Sequence, residues 1–471
     1  MGEVASAMGG RQISGSPDQA AEGLCTDSRT MVPGHLFLAL RGGKYDGHDF
    51  VKQAAKAGAG GLVVEEGRPI TETLAEGNLP VITVPSTLTA LEKLASRWRK
   101  RWGGTVIGIT GSNGKSTTKE MAASILSLKA KTMKSPASFN NLIGLPLSIL
   151  SLDPGHELAV LELGTNAPGE IARLTTIAGP DIGVITNVGN AHLEGFGDLK
   201  GVAAAKGELV AGMSAQSTAI LNGDNELTRG LASGFEGTTI TFGLGKTNRV
   251  RADDIRMVGD DRQAFTIIID GERIPAAIHL AGTHNVFNAL AGAAISWCVS
   301  VPNESISRGL EAFRPLKGRF QVLELEDGIR LIDDTYNANP SSLEAALQTV
   351  GGLRNKAQGL VVGLGEMLEL GADASRYHFE AGKKIAAMDP SFLTVLGEHG
   401  HEVIRGAWKE GMLPSQTAYV HSHGEMIEAI KASARPGGIV FLKGSRRMGL
   451  DKVADGLREY LGMSGEQGNA V

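Results

Sequence analysis

The stretch Gly108-Ile-Thr-Gly-Ser-Asn-Gly-Lys-Ser-Thr-Thr118 follows a short apolar run and precedes a segment with helical periodicity. Its glycines let the backbone turn tightly and point N–H groups at phosphate oxygens, and the positive end of the following helix attracts anions. Lys115 can neutralise phosphate charge, and the hydroxyl of Ser116 can bind Mg²⁺. The stretch therefore predicts a strand, a phosphate-binding loop and a helix that together bind ATP.

The leading glycine of this loop is displaced from its usual position. In the common P-loop pattern a glycine stands five residues before Gly114, but that position is Ile109 and the glycine lies one residue further back, at Gly108. The alternative is a glycine-rich turn before an ordinary helix. The Gly-Lys-Ser core favours the phosphate loop, and we interpret the displacement as the mark of a particular family.

Length and composition narrow the class of protein. The 471 residues are too many for one hydrophobic core and predict about three domains. The formal charge of -5 and the lack of a long basic tract argue against nucleic acid as a partner. Cys25 and Cys298 predict neither a disulfide framework nor a paired-cysteine metal site. No apolar run approaches the roughly 18 residues of a membrane span, so we expect a cytoplasmic protein, and a monomer.

Apolar strands that alternate with helical segments predict an α/β fold of three domains. The first domain, residues 1–103, is predicted to be a small α/β unit. Its predicted strands lie at 36–40, 61–65 and 80–84, and its predicted helices lie at 51–59 and 87–101. We interpret the basic, tryptophan-containing stretch 97–102 as a helix end and domain boundary, although a nucleic-acid patch is the alternative.

The central domain, residues 104–316, is predicted to be a doubly wound, mononucleotide-binding sheet that begins with the phosphate loop. Its predicted strands lie at 105–109, 158–163 and 182–187, with a helix at 115–127. Between 238 and 280 the periodicity shifts toward two, which predicts an antiparallel annex at one sheet edge.

The third domain, residues 317–471, is predicted to be Rossmann-like because strands and helices alternate again. We expect a frayed tail over 462–471. The predicted strands lie at 321–325, 330–333, 360–362, 392–395 and 439–442, and the predicted helices include 341–350 and 425–432.

Two polar residues stand where predicted strands end. Glu162 comes at the end of an apolar strand, and His192 follows the next strand. The carboxyl ends of parallel strands share one sheet edge, so Glu162 and Ser116 are predicted to share a Mg²⁺ ion and His192 to bind a second metal. The alternatives are a buried glutamate paired with a structural arginine and an ordinary surface histidine.

Two further groups of residues invite a functional interpretation. Lys206 lies in a helical segment of small residues, where reaction with CO₂ would give a carbamate anion that positions a metal ion. The alternative is a solvated surface lysine. His284, Asn285 and Asn288 cluster in the first turns of a predicted helix, where their polar groups would bind a nucleotide base. Helix capping by Thr283 or Asn285 is the competing explanation.

The order of these features resembles the Mur ligase family: the loop at 108–118, Glu162, His192, Lys206, and then the segment 284–288. The resemblance covers nearly the whole chain. It implies a ligase that activates a carboxylate with ATP as an acyl phosphate, which an amine then attacks to form an amide. The three domains would hold a UDP-sugar peptide, ATP with Mg²⁺, and the incoming amine, in that order.

Further segments favour one activity within this family. They resemble members that add D-alanyl-D-alanine to UDP-N-acetylmuramoyl tripeptide in peptidoglycan precursor synthesis: 163–171, 333–342, 364–371 with His378, and 442–446. The chain lacks the Asp-Asn-Pro-Arg segment that is typical of the diaminopimelate-adding relatives. The alternatives are another Mur-type or folylpolyglutamate-type amino-acid ligase, a nucleotide-binding regulatory module without turnover, and a kinase.

The resemblance also implies individual roles. The catalytic residues would be Lys115, Glu162, His192 and Lys206, with the carbamate on Lys206. The metal ligands would be Ser116, Glu162 and His192. The ATP-binding residues would be Gly111, Ser112, Asn113, Gly114, Lys115, Ser116, Thr117, Asn285, Asn288, Arg319, Asp334, Tyr336 and Asn339. The residues that bind the UDP-linked substrate would be Ser28, Arg29, Lys44 and Asp46, for which turn formation is the alternative.

Overall fold

Three β-sheets, each built from a separate part of the chain, form the framework of the computed structural model. The structure describes residues 1–68, 78–137, 139–259, 261–354 and 359–462. The predicted α/β class with three domains is confirmed, whereas the boundaries at 103/104 and 316/317 stay predictions. Apart from Gly462, the predicted tail lies outside the described residues. Within those ranges, no helix has both the length and the apolar character needed to cross a membrane.

The first sheet has five strands. They are β1 (Arg11–Ser14), β2 (Leu24–Cys25), β3 (Leu36–Leu38), β4 (Gly61–Glu65) and β5 (Val81–Val84), with helices Gly2–Met8, Val51–Lys56 and Thr87–Trp102. The order is β1-β5-β4-β3-β2, and all neighbours are parallel except β1 and β5. The helix predicted at 51–59 ends earlier, because Gly58 adopts a left-handed φ of 90°.

The helix Thr87–Trp102 connects the first sheet to the central domain. It ends at Gly103, which adopts a left-handed conformation. Near that end the buried Arg99 donates to the Asp181 carboxylate of the central domain at 2.8 Å. The interpretation of 97–102 as a helix end is confirmed, and this arginine is bound by the protein itself.

The central sheet has nine strands and carries the phosphate loop. Its strands are β6 (Thr105–Thr110), β7 (Thr132–Lys134), β8 (Leu158–Glu162), β9 (Ile182–Ile185), β10 (Thr218–Asn222), β11 (Thr238–Gly243), β12 (Val250–Val258), β13 (Arg262–Ile269) and β14 (Glu272–Ile278). Its helices are Lys115–Leu126, Gly144–Leu150, Glu170–Ala178, Leu193–Phe196, Leu199–Ala211, Glu226–Gly230, Thr283–Cys298 and Asn303–Ala312. The strand order is β14-β13-β12-β11-β10-β9-β6-β8-β7.

The position of β6 decides where the polar residues meet. β6 pairs in parallel with β8 on one side and with β9 on the other. In this register Ile109 is opposite Glu162, and Thr110 is opposite Ile185. The phosphate loop, Glu162 and the segment after β9 therefore emerge at one edge of the sheet, where the strand order reverses.

The antiparallel annex is smaller than predicted. β11 pairs in parallel with β10 and β12, so the antiparallel part comprises only β12, β13 and β14. These three strands extend the edge of the same sheet, and a turn at Asp270 and Gly271 joins β13 to β14. The period-two pattern marks exposed strands, and it does not distinguish a parallel neighbour from an antiparallel one.

The third sheet has six strands in the order β15-β16-β20-β17-β18-β19, antiparallel only between β15 and β16. They are β15 (Gln321–Glu324), β16 (Arg330–Asp334), β17 (Leu360–Gly365), β18 (Phe392–Leu396), β19 (Thr417–Val420) and β20 (Ile439–Lys443). The helices are Pro340–Leu353, Ala374–Ala386, Gly400–Lys409, His423–Ser433 and Asp451–Leu461. The sequence pattern did not predict β19, an edge strand that is only partly buried.

Candidate active site

The backbone of the phosphate loop adopts conformations that favour glycine. Gly111 has a φ of 145° and Gly114 a φ of 83°, and Gly114 directly precedes the helix Lys115–Leu126. A Cβ atom on Gly114 would lie 2.2 Å from Oδ1 of Asn288, and one on Gly111 would lie 2.0 Å from Oγ1 of Thr186. Both glycines are therefore required by close packing as well as by their φ angles.

The segment that follows β9 holds the loop in place. Asn187 accepts the Asn113 N–H at 2.9 Å and donates from Nδ2 to the Asn113 carbonyl at 3.0 Å. Thr186 Oγ1 donates to the same carbonyl at 2.6 Å. Ser112 Oγ donates to the Gly189 carbonyl at 3.0 Å. These protein contacts preorganise the loop for a ligand.

Ser116 and Glu162 form the polar centre of the site. Ser116 lies in the first turn of the helix after the loop, and its Oγ donates to Glu162 Oε2 at 2.8 Å. The other carboxylate oxygen accepts Nδ2 of Asn140 at 2.9 Å. Within the described ranges Glu162 has no arginine partner, so the alternative of a structural ion pair is wrong. A hydroxyl and a carboxylate side by side are oxygen ligands of the kind that Mg²⁺ prefers.

Lys115 places a partly buried amine beside this pair. Its Nζ donates to the Gly111 carbonyl at 2.9 Å. Burial lowers the pKa of Lys115, the charge of Glu162 raises it, and the charge of Arg319 lowers it further. A phosphate group next to Nζ would favour the charged form, because an opposite charge raises the pKa of an amine.

Arg319 reaches into the site from the start of the third domain. Its Nη2 donates to Ser116 Oγ at 3.1 Å. Its guanidinium carbon lies 3.8 Å from the centre of the Tyr336 ring, which holds the side chain by a cation–π contact. The buried Nε has no hydrogen-bond partner among the described residues. This arginine therefore has an unused N–H donor at the point where an anionic ligand would meet the third domain.

A cleft of about 690 Å³ between the central and third domains collects these groups. The third domain is bonded directly to the loop, because Asn339 Nδ2 donates to Asn113 Oδ1 at 2.9 Å. Gly111 and Lys206 do not line the cleft. The predicted residues that do line it are Ser112, Asn113, Gly114, Lys115, Ser116, Thr117, Glu162, His192, Asn285, Asn288, Arg319, Asp334, Tyr336 and Asn339.

His192 is bonded across the same domain interface. It lines the cleft with a left-handed φ of 55°, and its Nδ1 lies 2.6 Å from Oε2 of Glu369 in the third domain. The hydrogen bond to His192 lowers the pKa of Glu369, against the opposing effect of burial. The neighbouring Glu194 N–H donates to the Glu369 carbonyl at 3.1 Å. A carboxylate on Nδ1 orients the ring and leaves Nε2 available to a metal ion.

Lys206 is buried, so the alternative of a solvated surface lysine is wrong. Its side chain is 1% exposed, and its Nζ lies 5.8 Å from the centre of the Phe196 ring. Burial, together with the charge of Lys115, lowers its pKa to about 7 against the opposing charges of Glu208 and Glu170. About half of the amine is therefore uncharged near neutral pH.

The polar residues at the start of the helix Thr283–Cys298 bond to one another. Asn285 Nδ2 donates to the Ala281 carbonyl at 2.8 Å, and Asn288 Nδ2 donates to Asn285 Oδ1 at 3.1 Å. The residue before the helix is Gly282, and no side chain caps the helix start. Capping by Thr283 or Asn285, the competing explanation for this cluster, is therefore wrong.

His284 in this cluster has a defined protonation state. Burial lowers its pKa to about 4, so the ring is neutral at pH 7. Its Nε2 lies 3.1 Å from Nδ2 of Asn285, an amide nitrogen that can only donate, so the proton is on Nδ1. This buried Nδ1 has no partner within the described part of the chain. The protein therefore leaves one buried donor unsatisfied at the start of the helix Thr283–Cys298, close to Gly282.

The first-domain candidates lie apart from this cleft and do not line it. Ser28 is buried, and its Oγ donates to Gln53 Oε1 at 3.2 Å. The exposed Arg29 pairs with Asp27 at 2.6 Å, which lowers the pKa of Asp27 to about 2. Asp27 also accepts the Arg29 N–H at 2.9 Å, so the turn-forming role expected of this segment is observed.

The other candidate segment of the first domain, which contains Lys44 and Asp46, also forms a turn. Lys44 is exposed, and its Nζ lies 5.8 Å from the centre of the exposed Tyr45 ring. Asp46 accepts the His48 N–H at 3.0 Å and lies 2.6 Å from the His48 ring. Asp46 thus forms the turn, and the role of these residues in substrate binding stays a prediction.

The structure adds site residues that the sequence-based interpretation missed. Asn140 and Glu369 bond to predicted ligands from distant parts of the chain. Lys443 is buried at the end of β20 and pairs with Asp334. A charge at the end of an apolar strand, the signal that identified Glu162, also marks Lys443, whereas no local signal identifies Asn140.

A second cluster of potential metal ligands in the third domain is occupied by internal bonds. Glu366, His378 and His399 lie close together, and the two imidazole rings stack 4.9 Å apart. His378 accepts the Met367 N–H on Nε2, and its Nδ1 lies 2.7 Å from the Ala374 carbonyl. Both nitrogens of His378 are therefore committed, and this cluster does not have the three free ligands that a metal requires.

The sequence relationships agree with this geometry. Family models match in chain order: the Mur ligase family catalytic domain over 21–99, the Mur ligase middle domain over 109–296, and the Mur ligase glutamate ligase domain over 318–446. The UDP-N-acetylmuramoyl-tripeptide–D-alanyl-D-alanine ligase of Bacillus subtilis (strain 168) is 34% identical over 437 residues, which cover 93% of each chain. The chain belongs to the Mur ligase family.

Other Mur ligases support this assignment. The ligase of the same name from Escherichia coli (strain K12) is 33% identical, over 94% of this chain and 95% of its own. A crystal structure of MurF from Acinetobacter baumannii superposes with a TM-score of 0.87 and 30% identity, covering 97% and 98% of the two chains. MurF from Thermotoga maritima in complex with ADP gives a TM-score of 0.81 and 25% identity, covering 95% and 99%.

Proposed function

We propose that this protein is an ATP-dependent ligase that adds D-alanyl-D-alanine to UDP-N-acetylmuramoyl tripeptide in peptidoglycan precursor synthesis. The observation that carries the proposal is the interdomain cleft, where the phosphate loop, the Ser116–Glu162 pair and Arg319 meet. Relatives named for this reaction match over at least 93% of both chains. We expect the protein to act in the cytoplasm as a monomer, with a role in cell-wall formation, cell shape and division.

ATP would bind with its phosphates along the loop and its base toward the helix Thr283–Cys298. The loop is followed by the start of a helix and by the partly buried Lys115, both of which favour anions. At the other side, His284, Asn285 and Asn288 line the cleft and would face the base or the ribose. Asn339 and Tyr336 line the third-domain wall. Binding across both domains would couple ATP to their closure.

The donor set fits Mg²⁺. Ser116 and Glu162 provide a hydroxyl and a carboxylate within 2.8 Å of each other, and His192 lines the same cleft with its Nε2 available. These three residues would hold the metal ions, and the metal charge would reduce the repulsion between the phosphate chain and the substrate carboxylate. Asn140 would keep the Glu162 carboxylate oriented.

Lys206 fits conversion to a carbamate. Only an uncharged amine attacks CO₂, and burial lowers the pKa of Lys206 to about 7. The ammonium form first loses one proton, and the neutral amine then forms an N–C bond with CO₂ and releases a second proton. A cation is thereby replaced by an anion. The charge of Lys115 contributes to the lowered pKa of Lys206, which shows that the two cations repel each other. Conversion of Lys206 to a carbamate would remove this repulsion.

The chemistry then needs no nucleophile from the protein. A carboxylate oxygen of the tripeptide attacks the γ-phosphorus, the bond to the β-phosphate oxygen breaks, and ADP leaves. The dipeptide amine attacks the acyl carbon of the resulting acyl phosphate, loses a proton, and expels phosphate. Lys115 lies beside the phosphate loop, and Arg319 lies beside Ser116. Both cations would therefore stabilise negative charge on the transferred phosphoryl group. Positioning of the two substrates between the domains would supply the rest of the rate enhancement.

The first domain would hold the UDP end of the tripeptide substrate. Its candidates are Ser28 and Arg29 in one turn and Lys44 and Asp46 in another. Arg29 and Lys44 are exposed cations, as recognition of a diphosphate requires. Substituting both by glutamine is expected to raise KM for the UDP-linked substrate without changing KM for ATP.

Product analysis tests the proposed function. The purified protein is incubated with ATP, Mg²⁺, UDP-N-acetylmuramoyl tripeptide and D-alanyl-D-alanine, and the products are identified by mass spectrometry. We expect one amide product and one ADP per dipeptide consumed. Omission of either substrate should abolish phosphate release. ATP hydrolysis independent of both substrates would favour a regulatory module, and a stable phosphorylated product would favour a kinase.

A further inference from the structure

Arg446 occupies a distinctive position at the cleft. It belongs to the short segment that follows β20, and it lines the cleft from the third domain. Its side chain is 63% exposed, and its one ion pair is a long contact of 3.5 Å with Asp451. Its guanidinium carbon lies 5.5 Å from the centre of the Tyr336 ring. Arg446 is therefore a cation at the cleft with little of its binding capacity used.

The other cations that line the cleft either lie on its phosphate side or are paired within the protein. Lys115 bonds to the Gly111 carbonyl at the phosphate loop. Arg319 bonds to Ser116, on the phosphate side of the cleft. Lys443 is buried and paired with Asp334. Of the arginines and lysines that line the cleft within the described ranges, Arg446 alone is both exposed and on the third domain.

One charged group of the incoming substrate still needs a partner in the cleft. If the proposed function holds, the incoming dipeptide has an amine that reacts and a C-terminal carboxylate that does not. A carboxylate taken into a cleft loses water, and an arginine compensates for this best because it offers two parallel N–H donors. We propose that Arg446 binds the C-terminal carboxylate of the incoming dipeptide.

Tyr336 lies close to two arginines of the cleft. Arg319 and Arg446 both contact this ring, with guanidinium carbons 3.8 Å and 5.5 Å from its centre. Arg319 is the arginine next to Ser116, so the reacting amine belongs on its side. An extended dipeptide spans roughly 7 Å from its amine to its carboxylate, which is twice the length of a single amino acid. Arg446 would therefore also contribute to the preference for a dipeptide.

A double-perturbation cycle tests this assignment by removing the Arg446 guanidinium and the substrate carboxylate separately and together. Wild type and Arg446→Gln are each assayed with D-alanyl-D-alanine and with its C-terminal carboxamide, which lacks the negative charge. In the wild type the carboxamide should lower kcat/KM by about 10- to 100-fold, as expected for a charge-assisted hydrogen bond. In Arg446→Gln the dipeptide should lose a similar factor, mostly through KM, and the carboxamide should react within about threefold of its wild-type value.

Matched variants separate this role from general effects. Arg447→Gln removes a neighbouring arginine that does not line the cleft, and it should retain the wild-type discrimination. Arg446→Lys keeps the charge without the paired donors, and it should recover part of the discrimination. Circular dichroism and ATP-analogue binding should match the wild type, because Arg446 is exposed.

Two results would overturn the assignment. Full discrimination between dipeptide and carboxamide in Arg446→Gln would show that another group binds the carboxylate. An equal loss for both substrates, together with a raised KM for ATP, would make Arg446 a phosphate ligand. If the wild type forms no amide with either substrate, the proposed function itself fails, and the role of Arg446 fails with it.

Discussion

The bond between His192 and Glu369 makes a direct prediction about how domain closure supports catalysis. It joins a predicted metal ligand of the central domain to the third domain at 2.6 Å. Replacing Glu369 with alanine removes the carboxylate, while the backbone contact from Glu194 is retained. The contact between the two domains should therefore weaken, and the imidazole of His192 should be held less firmly in its orientation.

The size of the effect follows from the exposure of the pair. A hydrogen bond between charged groups contributes about 1.5–3 kcal/mol when it is well shielded from water. The Glu369 side chain is 41% exposed, which places this bond at about 1.5 kcal/mol or below. A loss of that size corresponds to a factor of about 10 in the closed population. Removing a carboxylate that orients a ligating histidine lowers metal affinity by about 10- to 100-fold.

Two assays measure these effects independently. Phosphate release is recorded against Mg²⁺ concentration, and Glu369→Ala should need about 10 times more Mg²⁺ for half-maximal rate. Small-angle X-ray scattering with a non-hydrolysable ATP analogue should show a larger radius of gyration for the variant. Glu380→Gln, which changes an exposed i,i+3 ion pair on a third-domain helix, is the matched control. Unchanged Mg²⁺ dependence together with unchanged scattering would refute the role assigned to Glu369.

Three further predictions concern the loop and the buried lysine. Gly114→Ala places a Cβ atom 2.2 Å from Asn288 at a φ of 83° and should weaken ATP-analogue binding at least about tenfold by calorimetry; unchanged affinity would contradict the packing. Lys206→Ala should lose activity and regain part of it with added short carboxylates; normal activity would exclude a carbamate. The folded-state pKa of Lys206, about 7, lies below its ordinary value of 10.5, so the unfolded chain binds more protons between these values and stability rises with pH across that window. Relative to Lys206→Met in CO₂-free buffer, the wild type should gain about 2 kcal/mol of unfolding free energy between pH 7 and pH 9 in denaturant titrations, and parallel pH profiles would argue against a buried amine.

Local sequence signals are sufficient to predict a site residue where backbone geometry or burial constrains the residue type. Gly111 and Gly114 are required by φ and close packing, so a glycine-rich loop is visible in the sequence. Glu162 is a charge at the end of an apolar strand, which is costly unless a ligand or partner compensates for it. The parallel pairing of β6 with β8 and β9 then brings the polar residues at the strand ends to one edge.

Residues that act through long-range contacts were not predictable in this way. Glu369 meets His192 only because the third domain packs against the central one, and Asn140 reaches Glu162 from a loop without a distinctive pattern. The residues around Lys206 favour a surface position, because its small neighbours do not reveal that the helix is covered. The strand β11 was assigned to the antiparallel annex because periodicity reports exposure and not strand direction.

The most direct measurement of the central claim follows the oxygen atoms of the substrate carboxylate. UDP-N-acetylmuramoyl tripeptide labelled with ¹⁸O in its terminal carboxylate is converted with ATP and D-alanyl-D-alanine, and the released phosphate is analysed by mass spectrometry. An acyl phosphate transfers one carboxylate oxygen to phosphate, so the account predicts one ¹⁸O in each phosphate released per amide formed. Unlabelled phosphate, or phosphate release without amide, would contradict it.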